Sequence, residues 1–154
     1  MSTASKTTVT FEELSGLVGK DLGYTDYREI TQEQINTFAD ATDDHQWIHT
    51  DPERAKDGPF GAPIAHGFLS LSLIIPLWSE LFDVEGVKTK VNYGLDRVRF
   101  TNPVKVGSKV RLHSTIAEVT EVKGGVQIKT SNTIEIEGEE RPAVVAEFLA
   151  RFYA

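Results

Sequence analysis

The segment that most constrains the fold is residues 66–82, which are apolar around nearly the whole circumference of a helix. A helix with this pattern in a soluble protein is covered by other elements on most sides. The segment is shorter than the roughly 20 apolar residues of a membrane span, and it contains Glu80. Pro76 removes one backbone hydrogen bond, so we expect a kink there. The rest of the chain must therefore cover one buried helix.

The chain beyond this helix has mainly the two-residue period of β-strands. The predicted strands are 21–30, 91–100, 109–122, 126–137 and 143–153. Changes of phase near 94–97 and 116–117 predict β-bulges, and Gly124-Gly125 predicts a hairpin turn. Only the 66–82 helix is large enough to bury the apolar face of such a sheet. We therefore predict an α+β fold, in which a curved antiparallel sheet of about five strands wraps around a central helix.

Shorter helices are marked by their start signals. Capping boxes, in which a threonine and a residue three positions later satisfy each other's backbone N–H groups, stand at residues 10–13 and 31–34. The second of these helices should break at Asp43, and Asp51-Pro52 should begin another short one. Residues 1–9 are small and polar and are expected to be disordered. Together these features predict one domain over residues 1–154.

The composition excludes several classes of function. The formal charge of -7 disfavours nucleic acid and anionic membrane surfaces as partners. The chain has no cysteine, which excludes disulfides, thiolate nucleophiles and thiolate metal ligands. The first residues lack the apolar core of a signal peptide. We therefore expect a soluble, cytoplasmic protein with no nucleic-acid partner.

The loop before the central helix, residues 43–68, holds three of the four histidines. Asp44 and His49 are five residues apart, so they diverge in a regular helix or strand and converge only in an irregular turn. A carboxylate and an imidazole that converge can hold one water molecule and move its proton. Taken alone, the spacing is more often that of a helix-capping aspartate and a half-buried structural histidine.

Two other features of the loop have the residue types of binding sites. His45 and His49 have the spacing of metal ligands on a helix, but no glutamate stands between them and the neighbouring aspartates are unselective ligands. We therefore predict no metal site. Gly67 begins the central helix, where free backbone amides favour a negatively charged atom such as an enolate oxygen. A glycine there is equally suited to close packing.

Three motifs in this order and spacing resemble the MaoC-like (R)-specific enoyl-CoA hydratases. The motifs are Asp44-x4-His49, the run Ile48-His-Thr-Asp-Pro-Glu-Arg-Ala55 and the run Ile64-Ala-His-Gly-Phe68. The resemblance extends from about residue 19 to the C-terminus and implies the hot-dog fold. It also implies that Asp44 and His49 are the catalytic pair and that the Gly67 amide binds the oxyanion. Gln46 and His66 are implied as further substrate-binding residues.

The sequence departs from the usual family signature at two places beside the pair. Asp43 stands where the family has glycine, and Gln46-Trp47 stands where it has Asn-Pro. Gln46 can still donate and accept hydrogen bonds, but its side chain is longer. A second carboxylate at Asp43 would raise the pKa of Asp44 if the two side chains lay close together.

The resemblance implies hydration of a 2-enoyl thioester to an (R)-3-hydroxyacyl thioester, or the reverse dehydration. No metal or redox cofactor is implied, because CoA or an acyl carrier belongs to the substrate. A thioesterase on the same fold and a non-catalytic acyl-thioester-binding subunit remain alternatives. Members of the family pair their sheets edge to edge. A sheet with long free edges, and apolar residues in both phases of strand 143–153, likewise predict a homodimer.

Overall fold

The computed structural model describes residues 5–154, and its main element is a six-stranded antiparallel sheet. The strands in chain order are β1 (Thr7–Thr10), β2 (Asp21–Tyr24), β3 (Arg28–Glu29), β4 (Phe82–Glu85), β5 (Thr89–Phe100), β6 (Lys109–Val122), β7 (Gly125–Ile136) and β8 (Val144–Tyr153). The order across the main sheet is β2-β6-β7-β8-β5, and β3 also pairs with β6. β1 and β4 form a separate parallel pair. The predicted α+β class is confirmed.

The helices are a 3-10 helix (Phe11–Gly16), α1 (Gln32–Thr42), α2 (Trp47–Thr50), α3 (Pro52–Ala55), α4 (Gly67–Ser72) and α5 (Ile74–Leu81). The long helix predicted at 66–82 is present as α4 and α5, which are separated only at Leu73. This break lies one turn before Pro76, because a proline ring displaces the carbonyl group four residues earlier, here that of Ser72. The helix is therefore interrupted one turn before Pro76, and the kink itself stays a prediction.

The central helix packs against the apolar face of the sheet. Leu77 and Leu81 of α5 are fully buried, and the helix joins β6, β7 and β8 in one continuous core. One stripe of the helix is open to solvent and consists of Phe68, Ser72, Pro76 and Ser79. Within residues 5–154, no helix is both long and apolar enough to cross a membrane.

The strand signals in the sequence are largely confirmed. β5 shifts register between Asn92 and Gly94 and again between Leu95 and Arg97, and β6 shifts between Ile116 and Glu118, so the bulges lie where the phase changed. The hairpin turn is one residue earlier than predicted, because Val122 pairs with Gly125. Gly124 has a φ of +80°, which explains the need for glycine in the turn. The strand predicted at 21–30 is divided into β2 and β3.

The N-terminal prediction needs correction. Residues 7–10 form β1, which pairs in parallel with β4 and buries Val9 against the core, so these residues are ordered. Met1 to Ala4 lie outside the described residues. The capping box that follows is present, since Glu13 accepts a hydrogen bond from the Thr10 N–H at 2.9 Å. It begins a 3-10 helix that ends at Gly16.

The outer edge of the sheet at β5 is the most exposed part of the fold. β8 pairs with one side of this twelve-residue strand, and the other side has no neighbouring strand within residues 5–154. Its exposed apolar side chains are Val91, Tyr93, Leu95 and Phe100. Phe68, which is 69% exposed, stands beside them in an edge-to-face contact with Phe100. Together they define an open apolar surface, which we call the β5 surface.

Candidate active site

The irregular turn that Asp44 and His49 require is present at the end of α1. Asp43 has a φ of 61° and a ψ of 31°, which places it in the left-handed region. It is the only non-glycine residue with positive φ among residues 5–154. Aspartate tolerates this conformation better than most residues, and the family's usual glycine adopts it freely. The chain therefore reverses at Asp43, and α2 begins four residues later.

His49 lies on α2 and is only 7% exposed. Its Nδ1 lies 2.7 Å from the carbonyl oxygen of Ile64. A carbonyl can only accept, so Nδ1 carries the proton and Nε2 of the neutral ring keeps a free lone pair. Burial lowers the pKa of His49, and His66 lowers it further, against opposing effects of the Ile64 carbonyl and Asp44. The ring is therefore a neutral base at neutral pH.

His66 lies beside His49 and is 2% exposed. The two imidazole rings stack with centroids 3.9 Å apart and planes inclined by 22°. The Nε2–H of His66 donates to the main-chain carbonyl oxygen of Asp44 at 2.9 Å. The fold therefore connects both members of the predicted pair through one further histidine.

Asp44, His49 and His66 each offer a polar side-chain atom, and these atoms lie within 4.8 Å of one another. Two hydrogen bonds of about 2.8 Å that meet at a tetrahedral angle span roughly 4.6 Å, which is within this limit, so the spacing is compatible with one water molecule shared by Asp44 and His49. A metal ion fits less well. The rings of His49 and His66 are nearly parallel, and the lone pair of each nitrogen lies in the plane of its own ring. The two lone pairs therefore do not point at one ion about 2 Å from both nitrogens.

Gly67 is the first residue of α4, directly after His66. Its N–H has no hydrogen-bond partner within residues 5–154, because the first amides of a helix lack intrahelical acceptors. On its other side the residue is tightly packed: a Cβ atom added there would lie 3.1 Å from two ring carbons of Phe100. A cavity of about 290 Å³ adjoins Gly67 and Phe100. Both interpretations of this glycine, ligand access and close packing, therefore have a structural basis.

The structure does not bring the other candidates of the loop into the cluster. The side chain of Gln46 is exposed and has no hydrogen bond within the described chain, while its main-chain carbonyl accepts from the His49 N–H at 3.0 Å. His45 is exposed and pairs with Asp40 at 3.0 Å and with Asp43 at 3.4 Å. The pKa of His45 is raised, mainly by its hydrogen bond to Asp40. Asp43 points towards His45, with its side chain 97% exposed.

Supporting residues of the site escaped the sequence analysis. Gln32 donates through Nε2 to the main-chain carbonyl of His49 at 2.8 Å and to Asn36 at 2.9 Å. Phe38 packs on His66 with ring centroids 4.8 Å apart. Gln32 lies inside a capping box and Phe38 on an apolar helix face. Because these local patterns account for both residues, the sequence gives no reason to assign either of them to the site. Helix α1 is thus the support on which the site rests.

The fold and the site together define a hot-dog protein with an acid-histidine pair at the start of its central helix. Residues 13–138 match the sequence profile of the family described as "MaoC like domain". The chain therefore belongs to the MaoC-like dehydratase family, as its motifs predicted.

Named relatives extend over nearly the whole chain. The 3-hydroxyacyl-thioester dehydratase Z of Mycobacterium tuberculosis is 50% identical over 149 residues, which are 94% of this chain and 99% of the relative. Nodulation protein N of Rhizobium meliloti is 41% identical over 145 residues, 92% of this chain and 90% of the relative.

Solved structures agree with the fold. The (R)-hydratase of A. caviae, described as involved in PHA biosynthesis, superimposes with a TM-score of 0.71 at 25% identity, over 86% of this chain and 94% of that one. A chain of the HadBC 3R-hydroxyacyl-ACP dehydratase complex of Mycobacterium tuberculosis gives 0.69 at 24% identity, over 88% of this chain and 96% of that one.

Proposed function

We propose that this protein is a hydro-lyase that adds water to 2-enoyl thioesters to give (R)-3-hydroxyacyl thioesters, or catalyses the reverse dehydration. The observation that carries the proposal is the clustering of Asp44 and His49 within 4.8 Å, a spacing compatible with one shared water molecule. The Gly67 N–H, directly after His66, has no hydrogen-bond partner within residues 5–154. The names of the 50% identical relative and of the (R)-hydratase support this reaction class.

In the hydration direction, His49 is the base. Its Nε2 takes a proton from the water, and the Asp44 carboxylate orients that water by accepting its other hydrogen bond. The water oxygen bonds to C3, and the electron pair of the C2–C3 double bond moves towards the thioester oxygen as an enolate. The Gly67 N–H stabilises this oxygen. The His49 imidazolium then returns its proton to C2, and dehydration is the same path reversed.

The reaction needs no cofactor in this scheme. Proton transfer by His49 and hydrogen bonding by the Gly67 amide account for every charge that forms. CoA or an acyl carrier enters as the thiol part of the substrate and leaves with the product. We therefore propose neither a metal nor a redox cofactor.

The decisive experiment is a chain-length series of 2-enoyl-CoA substrates with two readouts. Loss of the conjugated double bond without free thiol is the expected result. Release of thiol would instead identify a thioesterase, in which the same water attacks the carbonyl carbon. Binding without either signal would identify a non-catalytic acyl-thioester-binding subunit.

The acyl chain has a candidate site between the central helix and β5. An apolar cavity of about 260 Å³ is lined there by Leu71, Ile75, Leu95 and Phe148, among others. Leu71 and Ile75 are four and eight residues beyond Gly67, which corresponds to about 6 and 12 Å along the helix. An acyl tail extending from a thioester at Gly67 can therefore reach this cavity.

Shortening Ile75 to alanine should shift the preference towards longer acyl chains. Each extra methylene that becomes buried contributes about 0.8 kcal/mol, or roughly fourfold in kcat/KM. We expect the ratio of kcat/KM for an eight-carbon over a four-carbon enoyl-CoA to rise about tenfold. Val145→Ala, on an exposed residue of β8, is the control and should leave the ratio unchanged. An unchanged ratio in Ile75→Ala would place the acyl chain elsewhere.

We propose that the β5 surface is the contact between two copies of this chain. Among residues 5–154, one edge of the strand has no pairing partner. Its apolar side chains are exposed, and the open stripe of the central helix begins at the adjacent Phe68. Such an edge is normally paired or covered. HadBC, which has a similar fold, is described as a complex. Pairing of this chain with a different chain is therefore the competing possibility.

Sedimentation at micromolar concentration tests this assembly and should give a dimer. Leu95→Asp places a charge on the apolar β5 surface and should give a monomer, because burying an unpaired charge is strongly unfavourable. Val18→Asp, on a 61% exposed residue outside β5, is the matched control and should stay dimeric. A monomeric wild-type protein would contradict the homodimer and favour a different partner chain.

A further inference from the structure

The stacked histidine beside the catalytic pair has a role that family resemblance does not supply. The resemblance implies that His66 binds substrate, yet its side chain is almost completely buried and its Nε2–H already donates to Asp44. Its Nδ1 is also buried and has no hydrogen-bond partner within the described chain. A ring in this position has no donor left to offer to a thioester.

The contacts of His66 instead reach both members of the pair. Its Nε2–H holds the Asp44 carbonyl, directly after the left-handed turn at Asp43. One face of the ring covers His49, and Phe38 packs against it from α1. Moving His66 would therefore release the Asp44 main chain and uncover the His49 ring at the same time.

The geometry also assigns the tautomer of His66. Its buried Nδ1 has no hydrogen-bond partner within residues 5–154, so a proton there would lack an acceptor, and the ring proton lies on Nε2. A charged His49 would stack at 3.9 Å on that ring in a buried site. The titratable groups that act on His49 are His66, which lowers its pKa, and Asp44, which raises it.

We infer that His66 is a positioning residue of the proposed hydratase: it anchors Asp44 through its Nε2–H and stacks on His49, so that the free Nε2 of His49 faces the shared water. This inference rests on the proposed function for its kinetic consequence. Its structural content, the tautomers and the packing, is independent of that function. Each part can therefore be tested separately.

Two variants of His66 separate the two contacts. His66→Phe keeps an aromatic ring against His49 and removes the hydrogen bond to Asp44. His66→Gln keeps an N–H near the Nε2 position and removes the stack. Because a misplacement of about 1 Å costs on the order of a hundredfold in rate, we expect each variant to lower kcat by ten- to a hundredfold. The KM and the binding of a saturated acyl-CoA should stay nearly unchanged.

The titration of His49 provides a readout that needs no activity. Burial is the main cause of the lowered pKa of His49. His66→Gln uncovers one face of the His49 ring, so nuclear magnetic resonance should show His49 of this variant titrating at higher pH than in wild type. The acid limb of kcat/KM should move in the same direction. A raised KM with an unchanged His49 titration would show that His66 binds substrate and would overturn the inference.

A measurement on the wild-type protein keeps the inference testable even if the variants fail to fold. Nuclear magnetic resonance of protein labelled with nitrogen-15 in histidine shows which ring nitrogen carries the proton. At pH 7 we expect His49 with its proton on Nδ1 and His66 with its proton on Nε2. A cationic His66, or the opposite tautomer at either ring, would contradict the inference directly. Absence of hydration by the wild type, with these tautomers present, would refute the proposed function alone.

Discussion

Asp44→Asn and His49→Gln should each remove most of the hydration activity, and the double variant should be little worse than either. General acid-base catalysis typically contributes a factor of about 10² to 10⁴, so a loss of this size is expected in kcat for each single change. The two losses should not multiply, because removing either side chain destroys the shared water site that the other needs. Steady-state kinetics on one enoyl-CoA measures all three variants.

His45→Gln is the matched control, since His45 is an exposed neighbour paired with Asp40 and is not part of the cluster. It should retain near wild-type activity. All variants should remain folded and bind a saturated acyl-CoA, because Asp44 is exposed and the hydrophobic core of the central helix and sheet does not include His49. If the losses in kcat from Asp44→Asn and His49→Gln multiply in the double variant, or if His45→Gln loses as much activity, the shared-water mechanism is contradicted. A metal site would then be the alternative to test.

The same model fixes the direction of the pH dependence. The pKa of His49 is lowered by burial, below its ordinary value of about 6.5, and the active form is the neutral ring. Activity should therefore persist through neutral pH and fall only on the acid side, as pH drops through the lowered pKa. The residual activity of His49→Gln should lack this acid limb.

Gly67→Val should lower kcat on the order of a hundredfold or more while changing stability far less. The branched side chain crowds the free amide where the thioester oxygen must lie, and loss of one oxyanion donor typically has an effect of this size. Stability should change less because the nearest contact, Phe100, is a half-exposed ring that can move. Kinetics and thermal unfolding of the same preparation measure both effects.

A double variant distinguishes the two interpretations of this glycine. Phe100→Ala removes the ring that an added Cβ would meet at 3.1 Å. If Gly67 serves only to pack against Phe100, then Gly67→Val combined with Phe100→Ala should regain the activity of Phe100→Ala alone. Persistence of the full loss in the double variant is the result expected for an oxyanion-binding amide.

The parts of the fold that the sequence predicted are those set by local signals. The central helix, the bulges of β5 and β6 and the helix starts after Thr10 and Thr31 each depend on residues close in sequence. The strand β1 was missed because its residues are polar and its order comes from pairing with β4, more than 70 positions away. No local pattern contains that information.

In the candidate site too, the residues marked by a local motif were predicted, whereas the contacts between residues distant in sequence were not. The motif predicted Asp44 and His49, but their approach depends on the turn at Asp43 and on the Ile64 carbonyl. The hydrogen bond from Gln32 to the His49 main chain joins residues 17 positions apart. The position of His66 depends on its contacts with Phe38 of α1 and His49 of α2, which the periodicity of the sequence does not encode.

The open edge of β5 has a consequence for the choice of assembly partner. Backbone hydrogen bonds along a strand are nearly the same for every sequence, so the edge itself cannot distinguish a second copy of this chain from a related one. Discrimination must come from the side chains beside it, chiefly Tyr93, Leu95 and Phe68. In a cell that contains several proteins of this fold, a few residues on this surface would therefore decide which chains share an active assembly.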